Sequence, residues 1–173
     1  HRLTRPAGRR AACDHGGVPE TLSFEALAET GRAAGLDVVG ACGAEPFDAT
    51  RQVLEERRLA GLAGSMQFTY RNPARSTDPA ATLPGARTLV VGACSYHRDA
   101  PVPPVGRGPL GAVARYVWAD DQDRLLAGLE AVAAGLRRAG HRACVVSDQN
   151  HLVDRAVAHR AGLGWFGKNA NLL

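Results

Sequence analysis

The chain has 173 residues, 45% of them hydrophobic, which is enough for one domain with a sizeable core. Its formal charge of +4 comes from 21 basic and 17 acidic residues. Half of that excess lies in residues 1–20, which contain four arginines and two acidic residues. The charge left on the rest of the chain is too small to argue by itself for nucleic acid binding.

The first segment, residues 1–20, is polar and unpatterned, and it is predicted to be a disordered basic tail. It contains no apolar stretch of the signal-peptide type. No run in the chain approaches the roughly 18 apolar residues of a membrane-spanning helix. We therefore expect a cytoplasmic protein without a membrane partner, whose remaining residues 21–173 form a single domain.

Helices and strands alternate in the N-terminal half. Ser23 is placed to cap a helix that ends at Gly35, and the apolar residues 36–42 predict a short strand. Asp48 can cap a second helix that runs to about residue 60. Residues 61–78 read as a loop with one half-buried extended segment, which is indicated by the alternating apolar side chains Met66, Phe68 and Tyr70.

The alternation continues in the C-terminal half. Residues 87–96 predict a buried central strand, followed by a proline-rich surface loop over residues 97–109. A helix capped by Asp120 or Asp121 carries an apolar stripe to its stop at Gly140. A strand is then predicted over residues 143–147, and a helix over residues 151–161. The order predicts the α/β class, an α+β layered domain with a mixed sheet and helices packed on it.

The four cysteines are widely and irregularly spaced, with no C-x-x-C pair. They are Cys13, Cys42, Cys94 and Cys144. A metal or iron–sulfur site built from them alone is disfavoured. The last three lie in apolar, strand-like runs, so we expect small buried hydrophobic residues in a reduced compartment.

The glycine-rich turn near the C-terminus matches two nucleotide motifs incompletely. Gly162, Gly167 and Lys168 fit a Walker A loop, but Asn169 stands where a hydroxyl residue should hold Mg²⁺. Gly162, Gly164 and Gly167 also fit G-x-G-x-x-G. In both motifs a strand precedes the glycines and a helix follows, whereas here a helix precedes them. Without a functional role, the same turn would be a Schellman-type helix stop packed on Trp165.

Four segments in order resemble the N-terminal half of the epoxyqueuosine reductase family. They are GSMQFTYRNPARSTDP from residue 64, LPGARTLVVGACSY from residue 83, ARYVW from residue 114, and Asp148 followed by DRAVAHRAGLGWFGKNANLL from residue 154. The resemblance covers about residues 21–173. It implies a cobalamin-dependent iron–sulfur oxidoreductase that deoxygenates a modified base in tRNA.

Several site residues follow from that resemblance. Asp148 falls on the proton donor, and a carboxyl group desolvated beside a corrin face would have a raised pKa. The matching cofactor-binding positions are Arg75, Ala114, Asp148, Val153, Lys168, Asn169 and Leu172. The family needs no protein histidine beneath the cobalt, and no metal ligand is expected from this chain.

The resemblance also implies partners and further cofactors. The whole enzyme acts on tRNA, takes electrons from a donor protein, and is expected to be a cytoplasmic monomer. Its two 4Fe–4S clusters are bound by a C-terminal segment whose cysteine runs do not occur here. We therefore expect a chain that binds cobalamin but does not turn over alone.

Other interpretations stay open at this point. Without the resemblance, Asp148 is best explained as the cap of the helix near His151, a role for which Asn150 competes, and His151 and His159 as surface residues. The family usually has Asp-Tyr-His where this chain has Asp121, Gln122 and Asp123, and a small residue and Pro after the catalytic Asp, where this chain has Gln149, Asn150 and His151. A divergent paralogue with another substrate, a non-catalytic cobalamin-binding module and a nucleotide-binding protein are the alternatives.

Overall fold

A computed structural model describes residues 22–65, 67–99, 111, 113–147, 151–168 and 170–172. The helices are α1 (Phe24–Ala33), α2 (Asp48–Leu59), α3 (Phe68–Arg71), α4 (Pro73–Ser76), α5 (Gln122–Arg138) and α6 (Asp154–Arg160). The strands are β1 (Val38–Gly43) and β2 (Thr88–Ala93), and short 3₁₀ turns cover Pro79–Ala81 and Arg115–Val117. The predicted tail at residues 1–20 lies outside the described residues.

The two strands of the described sheet pair antiparallel, with Val38 opposite Ala93 and Gly43 opposite Thr88. Because side chains alternate along a strand, each face of the sheet packs on different helices. One face meets α1 and α5, and Val132 of α5 is buried there. The other meets α6, through a core of Phe47, Leu54, Leu152, Val153 and Val157. The predicted α/β class is confirmed, but the sheet within the described residues is antiparallel and not mixed as predicted.

Leu36 fills the space between α1, α5 and β2 on one face of the sheet. Its side chain is 3% exposed and lies against Gly31, Gly92 and Gly128. A Cβ atom on Gly92 would stand 2.6 Å from Leu36 Cδ1, and one on Gly128 would overlap Leu36 Cγ. The glycines of three elements therefore leave the space that this leucine fills.

Three predicted helix ends are confirmed. Gly35, Gly140 and Gly162 have φ of +110°, +85° and +75°, a conformation that favours glycine. The residue after each glycine donates its N–H to the carbonyl five positions back, which is the Schellman pattern. The Ser23 hydroxyl caps α1 by accepting from the Ala26 N–H at 3.1 Å.

The predicted caps of α2 and α5 are only partly right. Asp48 is the first helical residue of α2 and forms an ion pair with Arg51 rather than a cap bond. At α5 the flanking residue is Asp121, but the carboxylate that accepts from the Gln122 N–H, at 2.9 Å, belongs to Asp120.

Two predicted extended segments take other forms. Phe68 and Tyr70 lie in the short helix α3, which turns Tyr70 toward the core and leaves Phe68 77% exposed. Residues 143–147 follow no regular structure. The Ala143 carbonyl accepts from Arg137 Nε at 3.1 Å, and a cavity of about 140 Å³ separates this segment from β2. The Ala143 carbonyl thus bonds an arginine side chain, whereas in a third strand it would accept from the backbone of the neighbouring strand.

The cysteine prediction holds in part. Cys42 and Cys94 are half-buried, and burial raises the pKa of both thiols. Cys144 is exposed, so its prediction as a buried residue is wrong, because residues 143–147 do not enter the sheet. Cys13 lies outside the described residues.

Helix α6 is fastened to the loop after β1 by Arg160. Its Nη1 donates to the carbonyls of Gly43 at 3.4 Å and Glu45 at 2.6 Å, and its Nη2 donates to Pro46 at 3.3 Å. The guanidinium also lies 3.3 Å from the centre of the Phe47 ring. One side chain thus holds both a loop backbone and an aromatic core residue.

A charge network joins the start of α5 to the ends of the strands. Arg124 Nη1 lies 3.2 Å from Asp37 Oδ2, and Arg98 donates to both oxygens of Asp121 at 2.9 and 3.0 Å. The Ser95 N–H bond, assisted by Arg124, lowers the pKa of Asp37. The bond from Arg98 lowers the pKa of Asp121.

We expect this network to weaken in acid. Because the folded-state pKa of each carboxyl is depressed, its contribution is complete above the unfolded pKa near 3.8 and is lost as pH falls through the folded pKa. Unfolding followed by circular dichroism from pH 7 to pH 2 should show this loss below about pH 4. Arg124→Gln should reduce the loss, and Arg138→Gln on the same helix should leave it unchanged. Equal acid sensitivity of the two variants would contradict the assignment.

No helix in the described ranges is long and apolar enough to cross a membrane.

Candidate functional site

The start of α6 is held against α4 by a buried backbone bond. The Val153 N–H donates to the Ser76 carbonyl at 3.1 Å, and both residues are buried. Ser76 is fixed in turn by its hydroxyl, which donates to the Thr69 carbonyl at 3.2 Å. Arg75 is exposed directly before this contact. The structure therefore brings together two of the residues predicted to hold the cofactor, Arg75 and Val153.

Val153 itself has little left to offer a ligand. Its N–H is bonded to Ser76, its carbonyl accepts from the Val157 N–H at 3.0 Å, and it is 8% exposed. Contact with a cofactor through Val153 is therefore limited to the edge of its side chain.

His151 is influenced by the charge of Arg75, and it is a partly exposed residue with a side-chain partner rather than a fully solvated one. The ring is half-buried, and Nε2 lies 3.3 Å from the Thr82 hydroxyl. Burial, followed by the charge of Arg75, lowers the pKa of this histidine. Sequence reasoning missed His151 and Thr82 as neighbours of the candidate site. The available signal was the position of His151, three residues after Asp148.

The C-terminal turn is closed by backbone bonds and tied to α6. Phe166 and Leu172 form an antiparallel bridge, and the Gly167 N–H donates to the Asn171 carbonyl at 2.8 Å. Arg155 Nη1 donates to the Ala170 carbonyl at 2.9 Å. Lys168 is exposed within the loop that the bridge encloses. The structure thus brings Lys168 and Leu172 together.

Aromatic side chains on this turn face solvent rather than the core. Trp165 is 66% exposed and Phe166 is 48% exposed, and the Phe166 ring lies 5.1 Å from that of His159. The expectation that the turn packs on Trp165 is therefore wrong. The turn offers apolar surface next to the Lys168 ammonium.

Ala114 belongs to a separate part of the site. It precedes the 3₁₀ turn Arg115–Val117, in which Tyr116 contacts Tyr96 edge-to-face with ring centroids 6.3 Å apart. Among the described residues, the hydrogen bonds of this turn are local, and its ring contact with Tyr96 leads to the segment just after β2. None of them leads to α6 or to Lys168.

Asp148 and Asn169 lie outside the described residues, so their roles stay predictions. The cap interpretation of Asp148 and Asn150 is wrong, because α6 begins at Asp154 and the flanking residue is Val153. The residue before Asp148 is anchored, since Gln122 Nε2 donates to the Ser147 hydroxyl at 3.1 Å. Gln122, one of the departures from the family pattern, therefore contacts the chain next to the predicted proton donor.

Two cavities lie in the part of the chain that the structure describes, and neither suits a corrin ring. They measure about 140 and 270 Å³ and share apolar walls from β2, α5 and residue 152. Drug-sized ligands already occupy about 300–1,000 Å³, and a corrinoid is larger. Neither cavity is lined by Arg75, Ala114, Lys168 or Leu172.

The open surface has the better chemistry for such a ring. A corrinoid is apolar on its faces and carries amides at its rim, so it needs apolar contacts with scattered polar groups. The exposed aromatic side chains, Leu172 and Lys168 of the C-terminal turn offer that mixture, and Arg75 adds a cation at the contact between α4 and α6. Within the described ranges, no three His, Cys, Asp or Glu side chains are grouped as metal ligands. The residues fit a corrinoid held on a surface, not one enclosed in a cavity.

Comparison with known proteins identifies the family. An epoxyqueuosine reductase of Staphylococcus aureus is 34% identical over 140 residues, which cover 78% of this chain and 36% of that protein. One from Synechococcus sp. is 38% identical over 110 residues, 57% of this chain and 30% of that protein. The chain belongs to the epoxyqueuosine reductase family. It spans about 36% of the length of the Staphylococcus aureus relative. No protein-family model matches the sequence.

Solved structures of the family agree with this assignment. An epoxyqueuosine reductase in complex with an epoxyqueuosine-modified tRNA-Tyr stem loop matches with a TM-score of 0.72 and 28% identity. One from Bacillus subtilis, with an aspartate-bearing catalytic loop swung out of its active site, matches with a TM-score of 0.70 and 29% identity. Each covers 86% of this chain, which in turn spans 40% of the solved chain.

Proposed function

We propose that this chain is the cobalamin-binding part of an epoxyqueuosine reductase-like enzyme, which reduces epoxyqueuosine to queuosine in tRNA. The observation that carries the proposal is the match to this family over most of the chain, in sequence and in fold. The tRNA stem loop bound by one relative supports tRNA as the substrate. We further propose a cytoplasmic monomer that receives electrons from a donor protein through two 4Fe–4S clusters held outside residues 1–173.

Cobalamin, when bound, would supply low-potential electrons for the reduction. The chain's own contribution would be to bind and orient that group. Arg75 and Lys168 would meet its polar rim, while Leu172, Ala114 and the edge of Val153 would supply apolar contact. The closed turn holds Lys168 and Leu172 on fixed backbone, and the Val153–Ser76 bond does the same for Val153 and the chain at Arg75, which supports this role. Asn169 would add an amide.

Asp148 would supply the proton. Converting an epoxide to an alkene consumes two electrons and two protons and releases the ring oxygen as water. Protonation makes that oxygen a better leaving group, and Asp148 would give this proton while solvent gives the second. A carboxyl group next to the bound substrate would be suited to this proton transfer, and Asp148 is the carboxyl group that we assign to it. The aspartate-bearing catalytic loop of the Bacillus subtilis enzyme supports the assignment.

Corrinoid binding tests the proposal directly. Adding the chain to cob(II)alamin should shift the visible bands toward the base-off form. Lys168→Gln should weaken binding by about tenfold, because a hydrogen bond to a charged group contributes about 1.5–3 kcal/mol. Arg58→Gln, an exposed arginine at the end of α2, should bind as the parent does. An unchanged spectrum together with tight ATP binding would overturn the proposal.

A divergent substrate is the second candidate, and Gln122 is the observation that favours it. Its amide is bonded to Ser147 where family members carry an aromatic residue, so the neighbourhood of Asp148 is more polar here. Turnover of epoxyqueuosine-containing tRNA at the family's usual efficiency would remove this alternative. Binding of cobalamin without turnover, even in the complete protein with a reductant, would favour a non-catalytic cobalamin-binding module.

A further inference from the structure

Polar side chains from separate elements lie near the start of α6. His151 Nε2 lies 3.3 Å from the Thr82 hydroxyl, which follows the 3₁₀ turn Pro79–Ala81. Arg75 lies on α4, and the bond from Val153 to Ser76 brings the chain just after His151 against that helix. The charge of Arg75 acts on the His151 ring. The hydroxyl and the imidazole are thus in contact, and the exposed Arg75 is near enough for its charge to act on that ring.

Arg75 forms no ion pair with an acid among the residues that the structure describes. Asp78, the carboxylate nearest to Arg75 in sequence, accepts from the Ala80 N–H at 2.9 Å. Asp154, which follows Val153, accepts from the Arg155 N–H at 2.8 Å. Both carboxylates are therefore engaged with their own backbone. In the described ranges, no ion pair joins either of them to Arg75.

We propose that Arg75, Thr82 and His151 form a binding site for a phosphate group. A guanidinium recognises phosphate oxygens through paired N–H donors, and a hydroxyl and an imidazolium add single donors. Phosphate diesters occur both in the nucleotide arm of cobalamin and in RNA. The anion site stands on these side chains alone, whereas its assignment to the cofactor rests on the proposed function.

Protonation of His151 gives the site a pH dependence with a definite sign. Burial and the charge of Arg75 hold the pKa of His151 below its ordinary value of 6.5 in the free protein. Among the described residues, Arg75 is the charged group that acts on this ring. A bound anion favours the imidazolium, so binding raises the pKa of His151. Affinity for the anion should therefore increase as pH falls through that pKa.

Sulfate is a suitable probe, because its charge does not change in the range where histidine titrates. The whole chain is titrated with sulfate while the His151 ring signals are followed by NMR. We expect the pKa of His151 to rise on saturation and the affinity for sulfate to increase several-fold from pH 8 to pH 5. Arg75→Gln should weaken binding by about tenfold, whereas Arg71→Gln on the neighbouring helix should not change it. His151→Gln should remove the pH dependence. A His151 pKa that does not respond to sulfate, or equal losses in both arginine variants, would overturn the site.

Two corrinoids and an RNA then identify the source of the phosphate. Cobalamin carries the nucleotide arm, and cobinamide lacks it. Tighter binding of cobalamin that is lost in Arg75→Gln assigns the phosphate to the cofactor. Equal binding of both corrinoids, with a single-stranded RNA oligonucleotide raising the pKa of His151, assigns it to RNA. If sulfate binds but neither corrinoid does, the anion site stands and the proposed function fails. If both corrinoids bind and sulfate does not, the proposed function stands and the anion site fails.

Discussion

Replacing Asp148 with Asn should slow the reduction of epoxyqueuosine in tRNA by about 10²–10⁴-fold, the usual contribution of a general acid. The amide preserves the size of the side chain but cannot donate a proton to the departing oxygen. Because the acid must be protonated, parent activity should fall as pH rises through the pKa of this carboxyl group. The variant should lack that decline. Asp148→Glu should recover part of the rate.

The measurement uses the protein expressed from its complete coding sequence, with a chemical reductant and epoxyqueuosine-containing tRNA. Mass spectrometry of the digested tRNA reports the product, and visible spectra report corrinoid binding. Asp154→Asn is the matched control, because this exposed acid lies in the first turn of α6 and bonds its own backbone region. Full activity of Asp148→Asn would remove Asp148 as the proton donor. Loss of corrinoid binding in the same variant would assign it to cofactor binding instead.

Leu36→Ala should lower the free energy of unfolding by about 2–5 kcal/mol, since it empties the space between Gly31, Gly92 and Gly128. Gly128→Ala should also destabilise the fold. Its new Cβ would overlap Leu36, and overpacking costs about 1–3 kcal/mol against about 1 kcal/mol gained in helix propensity. The double variant should lose less stability than the sum of the two, because the shortened residue 36 leaves room for the new methyl group.

Chemical denaturation of the four proteins measures this coupling. Gly135→Ala on the same helix is the control, because its nearest side-chain atom would be Leu27 Cδ2 at 3.4 Å, an ordinary contact. That variant should be neutral or slightly more stable. Additive losses from Leu36→Ala and Gly128→Ala would show that the two sites do not share the space around Leu36.

Local rules predicted the features of the fold that depend on neighbouring residues. The glycine helix ends were predictable, because only glycine takes a positive φ without strain. The two strands at 38–43 and 88–93 followed from apolar, β-branched runs. The short segment around Phe68 was not predictable, because a three-residue alternation fits a helical turn as well as a strand.

Features that depend on a residue far away in the sequence were not predictable. Residues 143–147 have a strand-like composition, but pairing depends on whether β2 presents its edge to them. His151 shows no sign of burial in sequence, because the hydroxyl next to it belongs to a residue 69 positions earlier. Leu36 shows no special role for the same reason.

The candidate site was predictable chiefly through its family resemblance. Composition and spacing alone would have left Arg75 and Lys168 as solvated charges. The structure adds the physical reason that they can act from fixed positions, namely the backbone bond at Ser76 and the closed turn at Leu172. It also places Ala114 directly before a 3₁₀ turn whose ring contact leads to Tyr96.

Helix α6 has only seven residues, far fewer than the roughly 12–15 that a helix needs to persist alone in water. The helix is therefore stabilised by its hydrogen bonds to Ser76, to Ala170 and to the loop carbonyls that accept from Arg160. Release of any one attachment would tend to melt the whole segment rather than tilt it. We therefore expect a substitution near Phe47, which contacts the C-terminal end of α6, to abolish ligand binding at the N-terminal end of this helix rather than to weaken it gradually.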